Sequence, residues 1–379
     1  MMKLRRGLAV AIACVLLATI VSIVQPQAAS AAAPVGIIVN GLKVSFNGIQ
    51  PYVDGEGRTM VPLRPIAAAL GAELSWQPNG RMQLTAGSMS VGMRLNQTKV
   101  VVNGKLLELD AAPISLEGQT VVPLRLLSQG LGAKVRWDSE ANAVHVTGAS
   151  VDPAELALDA WGRQIRTAGL PGRASDWAYV LADVPNGAYN MGYRQRLNPN
   201  GVRTLTSEAL QDPNFSRENL DLWADRIRDY YALVFGVDYR TIDPSAWWED
   251  FRPVMNNSSL DSMTRVRYAE WVQANRIRLE GWAEPEPSLV YRQDGQVMMR
   301  TKVRFRIVES DTNYGVLLDT FESSYEMYLK QGVWYSGYAD IALSTNAAGD
   351  PWPHYGVEGH DHLFFTPNGG IQEEVGELS

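Results

Sequence analysis

The spacing of apolar residues divides the chain into a front half of short alternations and a back half in which helices precede long alternations. In the back half, apolar residues at helical spacing predict one helix from Ser216 to about Gly236 and another from about Ser259 to Asn275. Beyond Asn275 the period changes to two, which predicts long antiparallel strands with a turn at Asp294-Gly295. Asp152, as an N-cap before Pro153, predicts a further helix up to Gly169.

Helices followed by antiparallel strands predict an α+β domain over residues 151–379, with the sheet curled over the helices. The order of its closing strands is similar to the nuclear-transport-factor-2-like (NTF2-like) and cystatin-like folds. Such folds host enzymes and plain binding domains, so this likeness implies no activity. We expect a flexible tail from about residue 346.

The front half of the chain contains one sequence motif twice. The stretch "RTMVPLRPIAAALGAELSW", from Arg58 to Trp76, aligns without a gap with "QTVVPLRLLSQGLGAKVRW", from Gln119 to Trp137. Upstream, "IIVNGLKVSF" aligns with "VVVNGKLLEL". The chain therefore contains a duplicated unit of about 60 residues, with repeats at about 37–86 and 100–148 inside a tandem domain over residues 34–148.

Each unit begins with a predicted hairpin and a short strand. Asn40-Gly41 and Asn103-Gly104 lie between apolar alternations, and Asn-Gly favours the tight turn whose central residues both need positive φ. The strands that follow are predicted to end at Pro62 and Pro123, since proline donates no hydrogen bond to a sheet.

The second part of each unit is a predicted short helix and strand. Gly71 and Gly132 stand where a helix C-terminus favours the left-handed conformation. The alternation after each glycine predicts strands that place Trp76 and Trp137 on the buried face. One unit is thus expected to be a small antiparallel sheet wrapped on one helix, which makes the duplicated half α+β as well.

The phrase "GRTMVPLR…ALGA…W" resembles the copper amine oxidase-like N-terminal domain, over residues 37–146 and in both copies. The resemblance implies a stalk module that carries neither the copper nor the quinone of the oxidases. Tandem copies are common in secreted and wall-associated proteins of Gram-positive bacteria, beside unrelated C-terminal domains. The resemblance therefore implies an extracellular location and an architectural role. Arg64 and Arg125, identical in both copies, are interpreted as structural residues rather than ligand-binding ones.

Residues 1–33 have the pattern of a secretory signal peptide. Lys3, Arg5 and Arg6 precede an apolar run, and a stretch of small residues follows it. We predict cleavage after Ala31 or Ala33, with an uncleaved membrane anchor as the alternative. Contact with a membrane is expected only through this segment. Cys14, the only cysteine, lies within the apolar run, so no disulfide and no lipid anchor is expected in the mature chain.

The charge argues against nucleic acid as a partner. The formal net charge is −7, and loss of the three basic residues of the signal segment makes it −10. An anionic chain without a block of basic residues offers no footprint for phosphate backbones.

Because of the resemblance to a domain of the copper amine oxidases, we compare the sequence with the residues that amine oxidase chemistry requires. Tyr314 follows an asparagine, but Gly315 replaces the acidic residue of the quinone motif, and no third histidine follows the pair His360 and His362. We expect no amine oxidase activity and no cofactor. His354, His360 and His362 have the residue type for a Cu or Zn site, but no spacing that would hold the rings, so a solvated tail is the preferred interpretation.

Nucleophile motifs are missing from the sequence, and no catalytic residue is assigned. The carboxylates Glu249/Asp250, Glu280 and Glu322/Glu326 have the residue type that glycosidases pair, although a solvated face explains them equally simply. Of the neighbours Trp247 and Trp248, only one can face the core, so the other is predicted to line a groove.

Two hypotheses follow for function. In the first, the protein is a secreted, non-catalytic scaffold or binding protein whose partner is a cell-wall polymer or a surface protein. In the second, it is an extracellular hydrolase that acts on wall polymers in the concave sheet of the C-terminal domain. The hydrolase requires a pocket that gathers two or more carboxylates or histidines, and the scaffold does not.

Overall fold

The computed structural model describes residues 35–77, 80–139, 141–192, 203–204, 213–256, 261–293, 296–321, 329–344, 355–358 and 371–374. The predicted signal segment, the three tail histidines His354, His360 and His362, and the carboxylates Glu322 and Glu326 lie outside the described residues. The fold is mixed α+β, as predicted: most of the regular structure is antiparallel sheet with few helices, and the sheet of the C-terminal part is curled.

The N-terminal region, residues 35–148, consists of short strands and two short helices. In chain order these are β1 (Gly36–Val39), β2 (Leu42–Lys43), β3 (Tyr52–Val53), β4 (Thr59–Pro62), α1 (Leu63–Ala69), β5 (Glu73–Trp76), β6 (Arg81–Ala86), β7 (Met89–Arg94), β8 (Lys99–Val102), β9 (Lys105–Glu108), β10 (Ile114–Leu116), β11 (Gln119–Pro123), α2 (Arg125–Leu131), β12 (Lys134–Asp138) and β13 (Ala143–Thr147).

The local predictions for this region are confirmed. Asn40 and Gly41 have φ values of 52° and 80°, and Asn103 and Gly104 have 47° and 80°, as the tight turns of the β1–β2 and β8–β9 hairpins require. The strands β4 and β11 end at their prolines, and a helix follows each of them directly.

The expectation that each repeat folds into its own sheet is wrong. The hairpin β1–β2 of the first copy joins β12 and β13 of the second copy, through a parallel pairing of β1 with β13. The hairpin β8–β9 joins β5 and β6 through β7, a strand that the repeat pattern did not predict. A third sheet pairs β4 with β11, where Val61 lies opposite Val122. Both copies therefore share one core, because neither can cover its apolar face alone.

Trp76 and Trp137 are also not buried as predicted. Their side chains are 51% and 47% exposed. Both lie at the end of an outermost strand of a sheet, β5 or β12. Alternation places a residue on one face of a strand, but only a second layer over that face buries it, and the structure provides none at these edges.

The C-terminal region, from residue 151 onward, contains the longest helices and strands of the described chain. Its elements are α3 (Asn186–Asn190), β14 (Arg203–Thr204), α4 (Arg217–Phe235), α5 (Ser262–Ala274), β15 (Arg278–Gln293), β16 (Gln296–Glu309), β17 (Trp334–Ser344), β18 (Gly356–Val357) and β19 (Gln372–Glu373). The strands form one sheet in the order β14-β15-β16-β17-β18, with β19 also paired to β17.

Both faces of this sheet are covered. Helix α4, capped by the Ser216 hydroxyl as the sequence predicts, packs on one face, where Phe235 stacks on Phe305 with ring centroids 5.2 Å apart. Residues 174–192 pack on the other face around Tyr189 and Tyr291. Successive residues of β16 therefore pack in two different cores. Met299 belongs to the core on the α4 side of the sheet, and Met298 belongs to the core formed with residues 174–192.

Two predictions for the C-terminal region need correction. Asp152 does cap a turn, but the turn is a single 3-10 turn, Pro153–Glu155, and no helix follows up to Gly169. The segment stays extended because Gln164 hydrogen bonds to the hairpin at Gly41 and Ile165 bridges to Leu181. In the expected tail, residues 355–358 and 371–374 contain β18 and β19, so these residues belong to the sheet.

A buried ion cluster joins the two regions. Arg163 donates to Asp183 at 2.7 Å and to Glu286 at 2.6 Å, and all three side chains are less than a tenth exposed. The second oxygen of Asp183 accepts the backbone N–H of Lys43 at 2.6 Å. The cluster therefore ties the β1–β2 hairpin to residues 163–183 and to β15.

A second ion pair links β12 to α4. Arg217 donates to both carboxylate oxygens of Asp138 at 2.8 Å. Burial raises the pKa of Asp138, but the hydrogen bonds from Arg217 and from the backbone N–H of Ala141 outweigh it and lower that pKa to about 2. The pair is therefore charged on both sides at neutral pH.

The Arg163 cluster predicts a large effect on stability. We expect Arg163→Ala to lower the free energy of unfolding by about 3–5 kcal/mol, because Asp183 and Glu286 would stay buried without their counter-charge. Arg252→Ala is the matched control: it removes an exposed pair with Glu249, which is worth about 0–1 kcal/mol. Urea unfolding of both variants measures the difference. Equal losses would contradict a structural role for the cluster.

The carboxyl group of Asp319 predicts a pH dependence. Both its oxygens are buried without a hydrogen-bond partner among the described residues, beside the equally unpaired hydroxyls of Tyr230 and Tyr231. Burial raises the pKa of Asp319 from 3.8 to about 7. The folded protein then holds this proton more tightly than the unfolded chain, so the contribution is complete below about pH 4 and is lost as the pH rises through about 7.

We expect the free energy of unfolding to fall by at most about 4 kcal/mol over that range through Asp319. In Asp319→Asn, whose amide stays neutral, this component should vanish. Urea unfolding at closely spaced pH values measures it. A wild-type profile that coincides in shape with that of Asp319→Asn would show that the carboxyl does not titrate there.

Candidate functional site

A groove of about 670 Å³ lies where the two regions meet. One wall is the loop from Gly48 to Tyr52 in the N-terminal region. The other walls are the C-terminal end of α4, the start of β15 and the turn that carries Trp247. Pockets of this size at domain junctions commonly hold small molecules.

Close packing of β15 on β16 shapes the floor of the groove. A side chain at Gly281 would place its Cβ 2.6 Å from the Cβ of Phe305, so only glycine fits there. Apolar residues from α4 and β15, including Ala232, Leu279 and Ala283, line the groove beside it. The site is therefore held by regular elements and not by a free loop.

Four aromatic residues line the groove: Tyr52, Phe235, Trp247 and Trp282. Trp247 packs edge-on against Phe251 at 4.8 Å, which holds its ring against the core while part of it stays accessible. Trp282 similarly contacts Trp334 at 5.4 Å. Rings held in this way bind a ligand with little loss of side-chain entropy.

One member of the pair Trp247-Trp248 lines the groove, but it is not the member that faces away from the core. Trp247 lines it, whereas Trp248 donates its ring N–H to the carbonyl of Ser245 at 3.1 Å and lies under the guanidinium of Arg252. The same residue, Trp247, also packs on the core, so facing the core and lining the groove are not alternatives here.

Four carboxylates lie among the groove residues, namely Asp238, Asp243, Asp250 and Glu280. The guanidinium of Arg240 lowers the pKa of Asp238. Hydrogen bonds from the hydroxyl and backbone N–H of Ser245 lower the pKa of Asp243. Glu280 pairs with Arg306 at 2.6 Å. Three of the four are thus engaged within the protein, and Asp238 and Asp243 are held in the ionised state.

The other candidates from the sequence are placed as follows. Of the carboxylates, Asp250 and Glu280 meet in the groove, while Glu249 forms a surface pair with Arg252 at 2.6 Å. Tyr314 is 44% exposed and edge-on to Trp271. Among the described residues, no group of three or more His, Cys, Asp or Glu side chains is arranged to hold a metal ion.

The two repeated arginines differ. Arg125 pairs with Asp110 at 2.9 Å, which agrees with the structural role expected of it. Arg64 is exposed and forms no hydrogen bond or ion pair with any residue that the structure describes. The structural role expected of Arg64 therefore stays a prediction.

The comparison with known families identifies one part of the chain. Residues 38–146 match the copper amine oxidase N-terminal domain. This match confirms the resemblance that the repeated phrase indicates for the N-terminal region. That domain of the oxidases is a non-catalytic one, so the match assigns no reaction to these residues.

The remaining comparisons add no relative. Neither the curated proteins nor the solved structures contain a match to this chain, so the likeness of the C-terminal sheet to NTF2-like and cystatin-like folds stays a prediction. No helix in the described part of the chain has the length and apolar character needed to span a membrane.

Sequence reasoning missed most of the groove. Tyr52 lies in β3, whereas Arg278 and Trp282 lie much later in the chain, both in β15, so Tyr52 meets the other two only through the contact between the two regions. No local motif surrounds any of them. The only signal was the Trp247-Trp248 pair, because two adjacent indoles cannot both enter one core.

Proposed function

We propose that the protein is a secreted, non-catalytic binding protein of a Gram-positive bacterium, associated with the cell wall or cell surface. In this proposal, its ligand lies in the groove between the matched domain and the C-terminal sheet. The observation that carries it is the groove itself: aromatic residues line it, including the held rings of Trp247 and Trp282, and most of its carboxylates are already paired.

The location outside the cell rests on the sequence. The basic, apolar and small-residue order of residues 1–33 is typical of a secretory signal. The absence of cysteine after Cys14 fits a chain that relies on its core and on buried ion pairs for stability. The resemblance of the N-terminal region to a module common in wall-associated proteins favours the same location.

The lining of the groove favours a glycan portion of a wall polymer over a surface protein. Indole and phenol rings stack on the apolar faces of sugars, while their polar atoms and the groove's charged rim hydrogen bond to hydroxyls. A volume of about 670 Å³ suits a short oligosaccharide better than a protein surface. Nucleic acid is disfavoured by the net charge of −7.

The alternative function, a wall-degrading hydrolase, is favoured by one observation: four carboxylates line the same groove. The face of the sheet that covers α4, where the hydrolase hypothesis placed its site, is filled by stacked rings such as Phe235 and Phe305. A general acid needs a raised pKa, and the hydrogen bonds at Asp238 and Asp243 act in the opposite direction.

Co-sedimentation with purified Gram-positive cell walls tests the binding function. We expect residues 34–379 to sediment with the walls, and Trp247→Leu to weaken binding by about tenfold or more, as loss of a central aromatic contact does. Trp248→Leu is the matched control, because the neighbouring ring does not line the groove, and it should bind like the wild type. Equal behaviour of the two variants, or no sedimentation of the wild type, would exclude the groove as the wall-binding site.

Release of soluble wall fragments decides between the two functions. The binding proposal predicts no release by the wild type beyond a buffer blank over prolonged incubation. Release that disappears in Asp250→Asn or Glu280→Gln would establish the hydrolase instead, because these changes remove an ionisable carboxyl and keep the shape of the side chain.

A further inference from the structure

A second concave site lies in the N-terminal region, apart from the groove. It has a volume of about 310 Å³ and is bounded by the start of α1, the end of β5 and the turn before β11. Arg64, Pro65, Leu74 and Trp76 line one side of it, and Asn47 lies among the polar residues of the other. Nothing in the proposed function uses these residues.

The site combines an unpaired cation with an exposed ring. Arg64 is exposed and forms no ion pair or hydrogen bond with the described residues. The indole of Trp76 is 51% exposed at the edge of its sheet. Pro65 and Leu74 add apolar surface beside them. A half-exposed indole, two apolar neighbours and a guanidinium without an internal partner among the described residues thus line one concave surface, a combination that suits an anionic ligand with an apolar face.

At the corresponding site of the second copy, the arginine equivalent to Arg64 is Arg125, and it has a carboxylate partner. There Arg58, which comes from the first copy, donates to the backbone carbonyl of Asp110 at 2.6 Å, and Arg125 pairs with the carboxylate of Asp110 at 2.9 Å. At the corresponding site of the first copy, Gln119, which comes from the second copy, donates in the same way to the carbonyl of Asn47 at 2.8 Å. The backbone contact is thus kept in both copies.

The two sites differ at two charged positions, since Gln119 replaces Arg58 and Asn47 replaces Asp110. Asn47 stands at the position that corresponds to Asp110 and carries a neutral amide, so Arg64 lacks the carboxylate that Arg125 has. An external carboxylate bound at Arg64 would complete the pair that the second copy forms internally.

We infer that the pocket of Arg64 and Trp76 binds an anionic sugar, a saccharide unit that carries a carboxylate. The planar guanidinium of Arg64 presents two parallel N–H donors to a carboxylate. The ring of Trp76 offers its face to the apolar side of a sugar ring, and the Asn47 amide hydrogen bonds to hydroxyls. The pocket volume of about 310 Å³ accommodates one or two sugar rings.

Binding of trigalacturonic acid to residues 34–379, which include every described residue, tests the inference. Calorimetry in 0.15 M NaCl should show binding that Arg64→Gln and Trp76→Ala each weaken by about tenfold or more. Arg125→Gln and Trp137→Ala are the matched controls from the second copy and should bind like the wild type. Neutral galactotriose should bind at least about tenfold more weakly than the acid.

Three results would overturn the inference. The first is that the wild type does not bind trigalacturonic acid, and the second is that the variants of both copies lose affinity for it equally. The third is that acetate binds as tightly as trigalacturonic acid, which would mark a general anion site. All four positions are surface-exposed, and circular dichroism and thermal unfolding verify that each variant is folded. Trp247→Leu should leave this binding unchanged, so the outcome does not depend on the groove or on wall binding.

Discussion

The burial of Arg163 between Asp183 and Glu286 is the constraint on which the relation of the two regions depends. A guanidinium removed from water is tolerated only when carboxylates replace its hydration, and here two of them do so from different elements. Asp183 also accepts the N–H of Lys43, so the same charge cluster fixes the β1–β2 hairpin. Because the hairpin is fixed, the neighbouring loop from Gly48 to Tyr52 can form a wall of the groove.

The sequence predicted what depends on local chemistry. Asn-Gly turns, proline strand ends and the Ser216 cap act within a few residues, and each lies where the pattern placed it. The sequence did not predict structure that depends on contacts with residues distant in the chain. Residues 156–169 have helical spacing, but Arg163 and Gln164 gain more from pairing with Asp183 and Gly41 than a helix would supply. Trp76 and Trp137 lie in strands, as the alternation predicts, but no described residues cover those edge strands, so both rings stay exposed.

The candidate site was predictable only in part for the same reason. Trp247 and the carboxylates Asp250 and Glu280 were candidates by residue type, and the groove brings them together. Tyr52 was not, because only the docking of the two regions places it beside the groove residues of β15. The exchange of hairpins between the repeats was equally hidden, since a repeat pattern specifies elements and not their partners.

Native-state hydrogen exchange measures most directly whether the two regions form one cooperative body. The intact chain would be followed through peptides covering residues 36–43 and 278–290. We expect both to exchange with the same free energy as global unfolding, and Arg163→Ala to lower the two values together. Exchange of residues 36–43 at a lower free energy, unchanged by Arg163→Ala, would show that the hairpin opens independently, and the groove would then have no fixed wall.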